Sequence, residues 1–159
     1  MNKKQKPNFE PSGLLAKQTN SLNGVVLKYT IPYDSAFPST ELYRLYKFQK
    51  GTSEPVAVYK LHHKEHYLIG KDIRVCDIII EEGSISRQHA VIQFKNKLQT
   101  DEFNNTKGLI IPYIIDLEST NGTVLNGSKI ESARYYELQD KDILSFGEDK
   151  SEFVVTKEI

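Results

Sequence analysis

The sequence predicts an all-β fold, an antiparallel β-sandwich preceded by an extended N-terminal arm. Three observations predict it. From Gly24 onward, short runs of β-branched and aromatic residues recur, each bounded by Gly, Pro, Asn, Asp or Ser. No segment sustains a helical period over three turns, and the two best helical candidates, 39–46 and 132–138, are short. Finally, 159 residues with nine Tyr and seven Phe suit one domain with a real core and some extra length at an end.

The elements follow in order. Residues 1–23 are polar and punctuated by Pro7, Pro11 and Gly13, and read as a partly ordered arm. Phe9, Leu14 and Leu15 are its apolar anchors, and the domain proper is 24–159. Strand-like runs then occupy 25–27, 42–48, 55–61, 67–69, 77–80, 89–94, 109–117, 124–125, 143–146 and 153–156. Pro112 marks an edge or a bulge within its run, because proline cannot donate to a ladder. The polar stretch 95–107, with Asn104 and Asn105, reads as a mobile surface insertion between two strands.

Composition narrows the function. The 21 basic and 21 acidic residues cancel, whereas nonspecific nucleic-acid binding needs an excess of cations; no direct nucleic-acid contact is expected. Cys76 is the single cysteine. It precludes an intrachain disulfide and a thiolate zinc site, and reads as a half-buried free thiol. No apolar run approaches the roughly eighteen residues of a membrane span. The basic start, Met1 to Lys6, has no hydrophobic stretch behind it and is not a secretory signal. His62, His63, Glu65 and His66 cluster, but read as solvated residues on a strand edge; no metal is expected. No phosphate-cradling glycine loop and no nucleophile–base pair occurs, and Asp101 and Glu102 show no acid–base pairing. No cofactor and no enzymatic activity are expected.

Three loop motifs carry the chemistry. The first is Ile69-Gly70-Lys71 with Arg74 behind it. The second is Ser84-Ile85-Ser86-Arg87-Gln88-His89. The third runs from Asp116 through Ser119-Thr120-Asn121-Gly122-Thr123 to Asn126-Gly127. Each sits where a strand hands over to a loop, the usual place for binding groups on a rigid scaffold. Lys71, Arg74 and Arg87 supply cationic donors and Ser86 a hydroxyl, a set suited to phosphate oxygens. Thr120 and Asn121 can bond the backbone of an extended peptide. The two Asn-Gly dipeptides favour tight turns.

In this order the motifs resemble the forkhead-associated (FHA) signature of Gly-Arg, Ser-x-x-His and Asn-Gly, and the tail from Leu138 to Gly147 resembles that family's closing strand. Further segments, including Phe9-Glu10-Pro11-Ser12-Gly13, Gly24 to Tyr29, Pro112 to Leu117 and Arg134 to Leu138, are similar to one subgroup. That subgroup is the FHA subunit of the pre-mRNA retention and splicing complex, related to the Smad nuclear-interacting proteins. The resemblance implies an FHA-type sandwich that binds a phosphothreonine-containing protein. It further implies a monomeric domain in a nuclear, spliceosome-associated complex with other subunits.

The resemblance also implies roles. Lys71, Arg74, Ser86, Arg87, Thr120 and Asn121 would contact the phosphopeptide; Gly70, His89, Gly122 and Asn126 would support the site. Two positions depart from the pattern. Lys71 stands where Arg is usual, giving a point charge in place of a planar fork; Arg74 could compensate. Lys141 stands where the closing motif has Gly. The first departure keeps a second expectation open: a scaffold subunit with a weak or unused phosphate site, docking partners through the arm or another face.

Overall fold

The computed structural model describes residues 21–38 and 42–158. Residues 1–20, most of the predicted arm, and 39–41, the start of one helical candidate, lie outside the described residues. Thirteen strands follow: β1 (Ser21–Leu22), β2 (Val25–Val26), β3 (Leu42–Phe48), β4 (Ala57–Lys60), β5 (His66–Gly70), β6 (Ile78–Ile79), β7 (Ala90–Thr100), β8 (Thr106–Asp116), β9 (Thr123–Leu125), β10 (Ser128–Lys129), β11 (Tyr135–Glu137), β12 (Ile143–Phe146) and β13 (Glu152–Glu158). No helix occurs among the described residues. Both helical candidates give way to strand: 42–46 belongs to β3, and 135–137 to β11.

Two sheets face one another. One has the order β10-β9-β12-β13-β3-β4, the other β11-β8-β7-β5-β6, and β1 and β2 form a separate ribbon. Pairing is antiparallel except between β5 and β6, where Ile69 and Gly70 pair in parallel with Ile78 and Ile79. The seven-residue link between them, 71–77, closes a tight loop: the Val75 and Cys76 N–H groups both bond to the Asp72 carbonyl, at 3.3 and 3.0 Å. That compact turn lets the chain return alongside the same strand without a helical crossover.

Burial explains the sequence patterns. β3 alternates, with Tyr43 and Leu45 buried and their neighbours more open, because only one of its faces meets the core. The central runs of β5 and β7 are buried continuously. Tyr67, Ile69, Ala90 and Ile92 point between the sheets, where they join Leu45, Phe94, Phe146 and Phe153. Leu68 and Val91 point the other way, into a second cluster with Val75, Ile115 and Leu117. Val25, Leu27 and Tyr29 cover that cluster. The segment after β2 is therefore a strap that closes the outer face of the five-stranded sheet. Polar bonds fix it: the Tyr29 hydroxyl donates to Gln93 Oε1 at 2.6 Å and lies 2.7 Å from the Tyr135 hydroxyl.

Two expectations need correction. The stretch 95–107 is not an insertion: β7 and β8 continue as a paired ladder out to Thr100 and Thr106, leaving a connection of only 101–105. Asp101 closes it by accepting N–H bonds from Phe103 and Asn105, both at 2.9 Å. Polarity there reflects two exposed strand faces. Pro112, in turn, lies inside the sheet order, between β7 and β11, yet its proline is tolerated. Its carbonyl points past the end of short β11 and accepts the Leu138 N–H at 2.9 Å. Since N–H and C=O of one strand residue share a side, the missing donor falls at the end of the β11 pairing, where it removes no bond from the ladder between β7 and β8.

Lys141 takes φ 75°, the left-handed region that favours glycine, which accounts for the family's preference there. Replacing it (Lys141→Gly) is expected to raise stability by up to about 1 kcal/mol. In contrast Phe153→Ala, which empties a fully buried ring position, is expected to cost about 3–5 kcal/mol. Urea unfolding of both variants checks the pair; a Phe153→Ala loss below about 1 kcal/mol would contradict the assigned core.

Candidate functional site

The site lies where the three motif loops meet at one end of the sandwich, and a buried histidine organises it. His89 precedes β7 and is fully buried. Its Nδ1 accepts the Ser86 N–H at 3.1 Å, and its Nε2 lies 2.8 Å from the Gly122 carbonyl. One nitrogen must accept and the other must donate, so the ring is the neutral Nε2–H tautomer. It thereby joins the second loop to the third. The Phe146 ring packs edge-on against it, with centroids 5.6 Å apart. The Gly122 carbonyl also accepts the Gly147 N–H at 2.9 Å.

Asp116 shapes the third loop. Its carboxylate accepts bonds from the Ser119 N–H (3.0 Å), the Ser119 hydroxyl (2.6 Å) and the Thr123 hydroxyl (2.7 Å). Ser119 Oγ accepts the Gly122 N–H at 2.9 Å in turn. Gly122 has φ 86°, a left-handed conformation that strains a side chain and favours glycine. The Asn126-Gly127 pair, φ 50° and 83°, makes the two-residue turn between β9 and β10. Asn126 also bonds Asp142 and the Ile143 N–H, at 3.0 and 2.8 Å. It supports the loop from the far end of β9.

The first and second loops lock through their backbones. The Lys71 N–H bonds the Ser86 carbonyl, and the Asp72 N–H bonds the Arg87 carbonyl, both at 3.2 Å. A Cβ on Gly70 would strike the Arg87 carbonyl, so glycine permits this approach. The half-buried Cys76 thiol donates to the same carbonyl at 3.2 Å. Burial pushes that thiol up to about 11, which leaves it protonated and unreactive at neutral pH.

These contacts frame a cleft of about 460 Å³ lined by Lys71, Ser86, Arg87, Gln88, Thr120 and Asn121, together with Lys28 and the Gly83–Ile85 backbone turn. Ser86 Oγ accepts the Thr120 N–H at 3.1 Å, leaving its own O–H available to donate. Asn121 bonds the Ser84 carbonyl through Nδ2 at 2.8 Å, leaving Oδ1 open. Lys71 and Arg87 are exposed and, among the described residues, form no ion pair. Arg74 differs. Its guanidinium grips Asp72 through two 3.0 Å bonds, which hold the Asp72 carboxyl below its ordinary range. It is not among the cleft's lining residues. The structure thus brings together five of the six predicted contact residues and ties the sixth into the Asp72 turn.

Asp116, Gln88 and Lys28 were not singled out from the sequence as site residues. Asp116 and Gln88 lie inside the motifs, where their types suggested nothing beyond loop chemistry. Lys28 is about sixty positions from the second loop and carries no local signal. His62, His63 and His66 hold no metal-binding cluster among the described residues.

Burial holds the His89 imidazole below its ordinary 6.5; the Lys28 charge acts in the same direction, against the Gly122 carbonyl and the Asp116 carboxylate. The folded state therefore binds fewer protons here than the unfolded state. Stability is complete above the ordinary value and is lost as pH falls below it toward the lowered folded-state value. Thermal unfolding between about pH 7.5 and about pH 5 should show this loss, and His89→Asn should show a shallower slope. A residual slope remains expected from His62 and His66, which burial also holds low. Equal slopes in both proteins would contradict the neutral-imidazole bridge.

Comparison with known proteins matches this architecture. Mouse (Mus musculus) Smad nuclear-interacting protein 1 is 43% identical over 155 residues, 98% of this chain but 40% of that protein. The chain thus spans less than half the length of that relative. Pre-mRNA leakage protein 1 of Saccharomyces cerevisiae is 33% identical over 170 residues, 89% of this chain and 79% of its own. The crystal structure of full-length yeast Pml1p superposes with a TM-score of 0.70 at 30% identity, covering 81% of this chain and 99% of that one. The FHA domain model matches residues 67–147, the segment that holds all three motif loops. The chain belongs to the FHA domain family, a family of recognition modules and not of enzymes.

Proposed function

We propose that the cleft binds a phosphothreonine peptide in extended form, and that the chain serves as the phosphopeptide-reading part of a nuclear, splicing-associated complex that retains unspliced pre-mRNA. One observation carries the binding half. Ser86, with a free O–H, lines the cleft with Lys71 and Arg87, two cations without carboxylate partners among the described residues, and the three loops are already locked. A phosphate dianion offers three acceptor oxygens to such a set. Preformed loops lower the ordering cost of binding. Thr120 and Asn121, which line the same cleft, would bond the peptide backbone beside the phosphate.

The complex-level half rests on relatives. One is named a pre-mRNA leakage protein. In a solved structure that yeast protein, Pml1, is described as a splicing factor integrated into the RES complex. Those descriptions support a nuclear role with other subunits. The Asp72 grip on Arg74 favours the rival reading of a scaffold with an idle phosphate site, because it withdraws one of the two fork-shaped donors that the motifs supply and leaves Arg87 alone.

Titration calorimetry separates the two. A phosphothreonine peptide should bind, its unphosphorylated form should not, and a phosphoserine form should bind about 5-fold to 100-fold more weakly for want of one methyl contact. Ser86→Ala and Arg87→Ala should each weaken binding by about tenfold or more while leaving the unfolding midpoint nearly unchanged. Equal affinity for phosphorylated and plain peptides would leave the scaffold reading in possession.

A further inference from the structure

The strap that closes the outer face also reaches the cleft. Lys28 is held there by its own backbone. Its N–H donates to Gln88 Oε1 at 2.9 Å, while Gln88 Nε2 donates to the Val26 carbonyl at 2.9 Å. The buried Gln88 side chain thus acts like a stretch of neighbouring strand, pairing with the strap on both sides. Gln88 lies directly between Arg87 and His89, so the clamp is anchored in the phosphate loop itself. The Lys28 ammonium bonds the Leu117 carbonyl at 2.7 Å. An ammonium has three donors, and Lys28 forms no ion pair among the described residues. It lines the same cleft as Lys71, Ser86 and Arg87.

We infer that Lys28 is a third phosphate-binding cation, delivered to the cleft by the N-terminal strap and positioned by Gln88. The inference rests on the phosphopeptide reading above and extends its site beyond residues 67–147, the stretch shared with the wider family. It supplies the charge that Arg74, locked to Asp72, does not. Three cations without ion-pair partners among the described residues offset one phosphate dianion and leave about one positive charge over. The Lys28 charge also acts on the His89 imidazole, a minor contribution to its lowered pKa beside burial, as an ammonium near that ring would.

The test uses the full chain and a fluorescein-labelled peptide library with a fixed phosphothreonine and randomised flanks, with the unphosphorylated library as its control. Lys28→Met keeps the aliphatic stem and removes the charge. It should weaken phosphopeptide binding by about tenfold and flatten its dependence on salt, with no change toward the control library. Lys28→Arg should retain affinity, and Gln88→Met, which frees the strap while leaving Lys28 in place, should reproduce part of the loss. Lys107→Met, an exposed cation on β8 outside the cleft, corrects for net charge and should bind as the parent protein does. If Lys28→Met binds like the parent while Ser86→Ala does not, the inference fails alone. If the parent protein ignores the phosphate, the phosphopeptide reading fails and this inference falls with it.

Discussion

An imidazole that must stay uncharged holds this architecture together at its working end. His89 has no route to water, and both of its nitrogens are committed to backbone groups of different loops. Protonation would turn Nδ1 from acceptor to donor against the Ser86 N–H, and would leave a buried charge beside the Phe146 ring. Losing either bond strands a buried polar group at a cost of about 1–3 kcal/mol. The geometry of Ser86 therefore depends on a residue with no contact to the cleft. Asp116 and Gly122 extend the dependence: the carboxylate folds the third loop, and the glycine's positive φ aims its carbonyl at Nε2.

A second constraint sits on the opposite face of the same sheet. Continuous burial in β5 and β7 means that both faces of the five-stranded sheet need cover. The six-stranded sheet covers one. The strap covers the other with Val25, Leu27 and Tyr29. Covering that face brings Val26 and Lys28 alongside Gln88, so packing and cleft chemistry share one segment. Hydrophobic closure sets where the strap lies; the Gln88 clamp sets how Lys28 leaves it. A fold that needed no outer cover would have no reason to carry a cation to this place.

This division explains what the sequence made legible. Strand positions were readable because runs of β-branched and aromatic residues end at turn residues, as in β3 and β7, although the continuous burial that opens β7 was not. The turn at Asn126-Gly127 was readable because positive φ at two successive residues restricts the choice of side chain. The stretch 95–107 was misread because an exposed hairpin extension satisfies its backbone through pairing alone, so its side chains are free to be polar and imitate a loop. Arg74 was grouped with the cleft cations by nearness in sequence. Asp72 lies two residues away and reaches it first through a bidentate pair. Lys28 was invisible for the opposite reason, since its partners Gln88 and Leu117 are distant in the chain and only the tertiary fold joins them.

The same facts bear on what kind of recognition this cleft supports. A guanidinium fork fixes the direction of a phosphate through two parallel bonds. Lysines attract the dianion strongly but orient it weakly. Here the Arg74 fork braces the turn between β5 and β6, Lys71 and Lys28 are point charges, and the Arg87 guanidinium is left to line the cleft. Orientation would then come from the Arg87 fork together with the neutral groups: the Ser86 hydroxyl, held by the Thr120 N–H, and the Asn121 amide, held by the Ser84 carbonyl. Charge would draw the ligand in, and hydrogen-bonded loops would decide its pose. Because those loops hang on the neutral imidazole and the Asp116 turn, selectivity in this site is a property of buried contacts more than of the cations that line it.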